Sequence, residues 1–201
     1  MAKTSTQRLG IFLALALVMA VTRIHLSLFN HDVRDASWAV FFLAGFWLRG
    51  QARWAFPLLM AEAVLIDFIV ISNTGQSFWS HYCVSAAYWF LVPSYGALWL
   101  GGNWLARHDL GLRLPTLGLA AVALLVSASL CYLISNGSFY WLSASVPAPR
   151  SFANWFVNLG DWYVPFLGTT AIYVGVGAVL HVLAVQLARA SRHAGQTNLP
   201  R

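Results

Sequence analysis

Long apolar runs dominate this chain and limit the folds that are open to it. A bilayer crossing takes about 20 mostly apolar residues, and five stretches come close to or exceed that length: 9–29, 54–72, 84–105, 114–135 and 163–188. Of the 201 residues, 59% are hydrophobic and 9% are charged, whereas soluble domains average about 25% charged residues. The chain is therefore predicted to be a single all-α domain embedded in a membrane.

A sixth apolar stretch, 36–49, is short. As an α-helix it would reach only about 21 Å. It would then lie where protein or a thinned bilayer shields its ends, and a re-entrant segment is the alternative. Counting it as a crossing gives a bundle of six transmembrane helices, with a long outer loop over 136–162.

The basic residues favour six crossings with both termini in the cytoplasm. Lys and Arg concentrate in cytoplasmic loops near helix ends. Apart from Arg23, which lies within the first helix, six crossings leave only Arg34 and Arg150 outside. The remaining basic residues fall inside: Lys3, Arg8, Arg49, Arg53, Arg107, Arg113, Arg189, Arg192 and Arg201. Without the short helix, Arg49 and Arg53 would be exported. The net charge of +6 therefore reflects topology, and its dispersal among loops predicts no nucleic-acid partner.

The N-terminus also has the features of a secretory signal, with Lys3 and Arg8 ahead of an apolar stretch. A cleavable signal peptide is thus a competing interpretation. The apolar stretch continues through Arg23 to Phe29, which is long for a signal peptide. The first helix is therefore expected to stay in the membrane.

Absent motifs exclude several function classes. The only lysine is Lys3, so the chain has no P-loop lysine to power transport with ATP and no lysine for Schiff-base chemistry in the membrane. It also contains no Gly-x-Ser-x-Gly, His-Glu-x-x-His or Cys-x-x-Cys motif. Ordinary hydrolase or thioredoxin-like chemistry is not expected.

Polar and aromatic residues gather in the three predicted outer loops. The first two loops contribute His31, His81 and Cys83, and the third carries Arg150. Because long loops in compact proteins often act as lids, the 136–162 loop is predicted to cover a pocket, with Ser151 capping a short helix inside it. The alternative is an aromatic belt that only anchors helix ends at the lipid headgroups.

Ionisable residues inside the helices add a second constraint, because each is costly in lipid unless it is paired or faces a cavity. Arg23 and Asp67 lie at matching depths below the outer ends of their helices. Either the two form an ion pair or Asp67 points into the outer pocket, and the sequence weights both equally. Glu62 and His181 are expected to pack between helices.

Cys83 has three interpretations. It is a small buried hydrophobe, a disulfide partner of Cys131, which lies about 6 Å deeper, or a thiolate ligand for a metal. A position at a helix start would lower its pKa and favour the thiolate. One cysteine with scattered histidines does not match a zinc site, so a metal inside an organic ligand, needing one axial donor, fits better.

Three stretches carry a resemblance to a known family: Ala16-Leu17-Val18-Met19-Ala20, His31-Asp32-Val33-Arg34-Asp35, and His81-Tyr82-Cys83 with Tyr88-Trp89-Phe90 after it. With the chain length, six predicted helices and outer cysteine, they resemble the BtuM family, solitary cobalamin-specific S-components related to energy-coupling factor (ECF) transporters. The resemblance covers most of the chain. The position of the cysteine is its more specific sign, because small-xxx-small patterns recur wherever membrane helices pack closely.

The resemblance implies cobalamin uptake across the bacterial cytoplasmic membrane. Cys83 would coordinate the corrinoid cobalt from outside, in the position normally held by the ligand's own base, and slow removal of an upper ligand such as cyanide (decyanation) is conceivable. Ala16 and Ala20 would mark the face that meets a transmembrane coupling subunit, with the ATPases on other chains.

The remaining pocket residues are predicted mainly from their geometry: His31, Asp67, Tyr88, His81 and Arg150. The alternative function is a membrane thiol/disulfide redox protein that uses Cys83 and Cys131 with a quinone. A third possibility is an assembly subunit whose outer aromatic residues are only anchors.

Overall fold

The computed structural model of the protein describes residues 4–28, 34–108, 111 and 113–197. In this part of the chain six α-helices follow one another: α1 (Ser5–Leu28), α2 (Ser37–Trp47), α3 (Ala52–Asn73), α4 (Leu91–Arg107), α5 (Leu114–Leu142) and α6 (Phe152–Thr197). Two short 3-10 helices, Phe78–Ser80 and Ala86–Phe90, precede α4. No strand occurs in the described ranges, so the predicted all-α architecture is confirmed.

Four of the described helices, α1, α3, α5 and α6, are long and apolar enough to cross a membrane. Within their most apolar windows, only 11% to 33% of the residues are buried inside the protein. Large apolar side chains such as Leu17, Val122 and Ile172 therefore cover the outside of the bundle. Exposed apolar surface of this extent marks contact with a membrane or a partner protein.

The short helix α2 lies at the centre of the bundle and packs against α1, α3, α4 and α6. Seven of its residues, including Phe41 and Phe42, are buried. Its backbone approaches α4 closely, because a Cβ atom added to Gly45 would lie 2.1 Å from the Trp99 carbonyl oxygen, and one added to Gly102 would lie 1.9 Å from that of Phe42. The predicted helix over 36–49 is thus present, and the surrounding helices shield it.

The predicted outer loop over 136–162 is wrong. Helix α5 continues to Leu142 and α6 begins at Phe152, so the connection is only 143–151. The polar residues that indicated a loop are satisfied between two helices, where Asn136 Nδ2 donates to Asn158 Oδ1 at 2.9 Å. Ser151 does cap a helix, since its Oγ accepts from Asn154 N at 3.2 Å, but that helix is the long α6.

Candidate functional site

A cavity of about 310 Å³ opens where the last turns of α1, α3 and α5 meet the segment before α4. We call it the outer pocket, after the side on which the topology predicted from the sequence would place it. Four predicted site residues line it together: Asp67, His81, Cys83 and Tyr88. The fold therefore brings residues up to 21 positions apart in the sequence, Asp67 and Tyr88, into one site.

Arg23 also lines the outer pocket and holds Asp67 by a two-point ion pair. Arg23 Nε donates to Asp67 Oδ1 at 2.7 Å, and Nη2 donates to Oδ2 at 2.8 Å. The Tyr88 hydroxyl donates to the same Oδ2 at 2.8 Å. Both alternatives left open for Asp67 are correct at once, because the carboxylate pairs with Arg23 and still lines the pocket.

The third guanidinium nitrogen of Arg23 extends the network away from the pocket. Arg23 Nη1 donates to Asp35 Oδ2 at 3.2 Å, to Ser37 Oγ at 2.8 Å and to the Tyr95 hydroxyl at 3.3 Å. Asp35 in turn accepts from the Ser37 backbone N–H at the start of α2. One guanidinium thus pairs with two carboxylates, of which only Asp67 lines the pocket.

Cys83 is half-buried. The sequence placed it at a helix start, and this prediction is wrong. The first helical turn after it is the 3-10 helix Ala86–Phe90, which Ser85 caps by accepting from Ala87 N. The thiol therefore gains nothing from a helix N-terminus. Burial raises its pKa, a hydrogen bond with Tyr82 lowers the pKa in part, and the Asp67 carboxylate raises it again. At neutral pH the free site holds a thiol.

His81 lies next to Cys83 and shapes the same turn. The Cys83 backbone N–H donates to His81 Nδ1 at 3.3 Å, so a neutral ring carries its proton on Nε2. The imidazole also packs on Tyr82, with ring centroids 4.4 Å apart. His81 can thus offer an Nε2–H donor to a ligand while it fixes the Cys83 backbone.

Cys131 lies on the same face of α5 as two further residues of the outer pocket, Ser135 and Phe139. It is completely buried, and both cysteines are free thiols. The predicted alternative of a disulfide between Cys83 and Cys131 is therefore not found. Phe139 was missed because the sequence assigned 136–162 to a loop, and Ser135, in the predicted helix 114–135, was not singled out. Their spacings of four and eight from Cys131 are those of a shared helix face.

Arg150 is not among the residues that line the outer pocket. Its guanidinium donates to the carbonyl oxygens of Trp141, Ser143 and Val146. These carbonyls lie at and just beyond the end of α5, where the helix has no further backbone N–H groups to donate to them. Arg150 thus closes the α5–α6 connection, and the prediction that it binds ligand has no support in this geometry.

Three predicted residues remain: His31, Ala16 and Ala20. His31 lies outside the described residues. Ala16 and Ala20 are half-buried on α1, where Ala16 packs against the core of this chain. The more exposed face beside them carries Leu13 and Leu17.

Exposed aromatic side chains surround the segment that carries Cys83. Trp79 is 77% exposed, Tyr82 is 61% exposed and Trp89 is 74% exposed. In the described part of the chain, no group of three or more His, Cys, Asp and Glu side chains is placed to hold a metal ion. A metal at Cys83 would have to bring most of its own ligands.

No model of a known protein family matches the chain, and no curated protein matches it either. The resemblance to cobalamin-specific S-components therefore stays a prediction based on the residues that carry it.

Proposed function

We propose that this protein captures cobalamin at the outer face of a bacterial cytoplasmic membrane and serves its uptake, with the Cys83 sulfur as an axial ligand of cobalt. One observation carries the proposal: a free, half-buried thiol lines a pocket with an Arg23–Asp67 ion pair at one end of an apolar helical bundle. A soft sulfur donor without neighbouring protein ligands suits a metal that already has a macrocycle around it.

Six crossings are compatible with the helix lengths. Helix α4 follows the 3-10 helix Ala86–Phe90 without a break, and the two together approach the length of a bilayer crossing. Helix α2 is too short to span alone, but its neighbours bury it. In this topology both termini are cytoplasmic, the basic residues near helix ends follow the positive-inside rule, and the outer pocket faces the opposite side.

The size of the outer pocket limits how the ligand binds. A cavity of about 310 Å³ is at the lower end of the range for drug-sized molecules, and a corrinoid is far larger. The corrin ring would therefore lie across the mouth, against Trp79, Tyr82 and Trp89, with cobalt facing Cys83. Asp67 and His81 would then bond the amide groups at the edge of the ring.

Binding to cobalt requires the Cys83 thiol to lose its proton, because the thiolate is the metal ligand. Once bound, the sulfur donates electron density to cobalt from the side opposite the upper ligand. This would help an upper cyanide to leave with the electron pair of the cobalt–carbon bond, a step that needs no external reductant. Ligand removal would be slow and secondary to uptake.

Inward passage would depend on other chains. This sequence has no P-loop lysine, so a transmembrane coupling subunit and ATPases would supply the energy. The exposed Leu13 and Leu17 beside Ala16 and Ala20 offer an apolar surface for such a subunit.

The test is a titration of purified protein with cobalamin, followed by visible absorption. Wild type and Cys131→Ser are expected to shift the cobalamin spectrum equally, and Cys83→Ser is expected to bind more weakly without the shift. Thiol alkylation tests the redox alternative, because cobalamin should protect Cys83 alone. An unchanged spectrum and affinity in Cys83→Ser would end the cobalt–sulfur proposal.

A further inference from the structure

A second cavity, of about 530 Å³, lies where the last turns of α2 meet the start of α5 and the second half of α6. We call it the basic-end cavity. Along α5, its residue Thr116 is about 28 Å from Ser135 of the outer pocket, at 1.5 Å per residue. The two cavities therefore occupy opposite ends of the bundle, and the proposed function makes no use of this one.

The walls of the basic-end cavity are apolar and long. Along α6 they extend from Val174 to Arg189, which is about 22 Å of helix. Half of the hydrocarbon core of a bilayer is about 15 Å thick. An acyl chain of one membrane leaflet would fit along Ala178 and Val182, with its head at the Arg189 end.

Two arginines line that end of the cavity, Arg113 before α5 and Arg189 on α6. Both are exposed, and no described carboxylate lies within salt-bridge distance of either. The other basic residues of the same end, such as Arg53 and Arg107, do not line the cavity. Positive charge is thus concentrated where the apolar groove opens.

Two neutral features at the start of α5 also favour an anion. The Thr116 hydroxyl oxygen is buried in the cavity wall and has no hydrogen-bond partner among the described residues. Helix α5 begins without a side-chain cap and without an acidic residue in its first turn. The positive end of its dipole therefore has no acidic side chain beside it in that turn.

We infer that the basic-end cavity binds an anionic phospholipid of the cytoplasmic leaflet. The phosphate lies between Arg113 and Arg189 and accepts from the Thr116 hydroxyl, while an acyl chain fills the groove between α5 and α6. Basic pockets between helices on the cytoplasmic side commonly bind acidic lipid headgroups. The inference rests on the proposed membrane orientation but not on cobalamin binding.

Native mass spectrometry of the detergent-purified protein with added phosphatidylglycerol tests this site. Wild type should retain one phosphatidylglycerol and should not retain phosphatidylcholine. The double variant Arg113→Gln/Arg189→Gln should bind about thirtyfold more weakly, at about 1 kcal/mol per arginine near an anionic surface. The control Arg53→Gln/Arg107→Gln loses the same charge at the same end and should bind like wild type.

Three outcomes would overturn the inference. One is equal loss in both double variants, which would show a diffuse charge effect. Another is equal retention of phosphatidylcholine, which would show apolar filling only. The third is displacement of the lipid by millimolar inorganic phosphate, which would show an anion site without chain recognition. Thr116→Val should weaken binding less than the arginine pair, and an unchanged thermal unfolding midpoint in every variant shows that the bundle is intact.

Discussion

The arginines at the two ends of this bundle differ in burial and in hydrogen bonding. At the outer pocket, Arg23 is largely buried, with 12% of its side chain exposed, and all three guanidinium nitrogens donate to protein acceptors. At the basic-end cavity, Arg113 and Arg189 are exposed and have no carboxylate partner in the described part of the chain. The first arginine organises a site, whereas the other two leave their charge available.

One apolar bundle therefore contains two cavities that differ in how they are built. The outer pocket gains its shape from a closed polar network, so a ligand meets groups whose positions are already fixed. The basic-end cavity gains its shape from mostly apolar walls that also include His181, with two arginines at its mouth. The close contact of α2 with α4, at Gly45 and Gly102, lies between these ends.

Removing a paired arginine should cost far more than removing an unpaired one. Arg23→Leu leaves Asp67 and Asp35 without a counter-charge, which typically costs about 3–5 kcal/mol. Arg189→Leu, an exposed surface change, should alter the free energy of unfolding by less than about 0.5 kcal/mol. Denaturant unfolding in detergent measures both free energies. Similar losses of stability in the two variants would mean that the pairing of Arg23 does not stabilise the protein more than the unpaired Arg189 does.

Cobalamin affinity should rise with pH at the outer pocket. The pKa of the Cys83 thiol is raised by burial, so the free site is protonated at neutral pH and binding releases one proton. The association constant should therefore increase about tenfold per pH unit, and about a hundredfold from pH 5.5 to 7.5. It should level off once the pH exceeds the pKa of Cys83.

Cys83→Ser is the control for that pH dependence. His81, Tyr82 and Asp67 remain in this variant, so any slope that they cause should persist. A wild-type slope equal to that of Cys83→Ser would mean that the thiol does not lose its proton on binding.

A single added methyl group should disrupt the close contact between α2 and α4. In Gly102→Ala the new Cβ would lie 1.9 Å from the Phe42 carbonyl oxygen, and overpacking of this kind costs about 1–3 kcal/mol. Gly96→Ala on the same helix meets no atom within 4 Å and should be neutral or stabilising by up to about 1 kcal/mol. Thermal unfolding of the pair measures the difference, and equal stability would contradict the close approach.

The smallest effect is expected at Tyr88. Its hydroxyl donates to Asp67 Oδ2 at 2.8 Å, and Tyr88→Phe should destabilise the protein by about 1 kcal/mol. A double-mutant cycle with Asp67→Asn isolates this hydrogen bond. A coupling energy near zero would mean that the hydrogen bond does not stabilise the outer pocket.

Depth along the helices brought the Arg23–Asp67 ion pair forward as one of two equally weighted alternatives, because an unpaired ionisable group is costly in an apolar medium. Hydropathy likewise located all six helices, including the buried α2. Both predictions follow from the cost of leaving charge or backbone polar groups in an apolar medium.

Polar residues between helices misled the prediction elsewhere. Asn136 and Asn158 satisfy one another across α5 and α6, so polarity there marks helix contact and does not mark a loop. The same error hid Phe139 from the predicted site and grouped Arg150 with it, although Arg150 does not line the outer pocket. Side-chain pairing between distant segments decides these cases, and a single sequence does not reveal it.

X-ray absorption at the cobalt edge tests the central claim most directly, because it identifies the atoms bound to cobalt. The complex of cobalamin with the wild-type protein should show one sulfur neighbour, as should the complex with Cys131→Ser, and the sulfur should be absent with Cys83→Ser. Coordination by nitrogen and oxygen alone in the wild-type complex would contradict the assignment of Cys83 as the cobalt ligand.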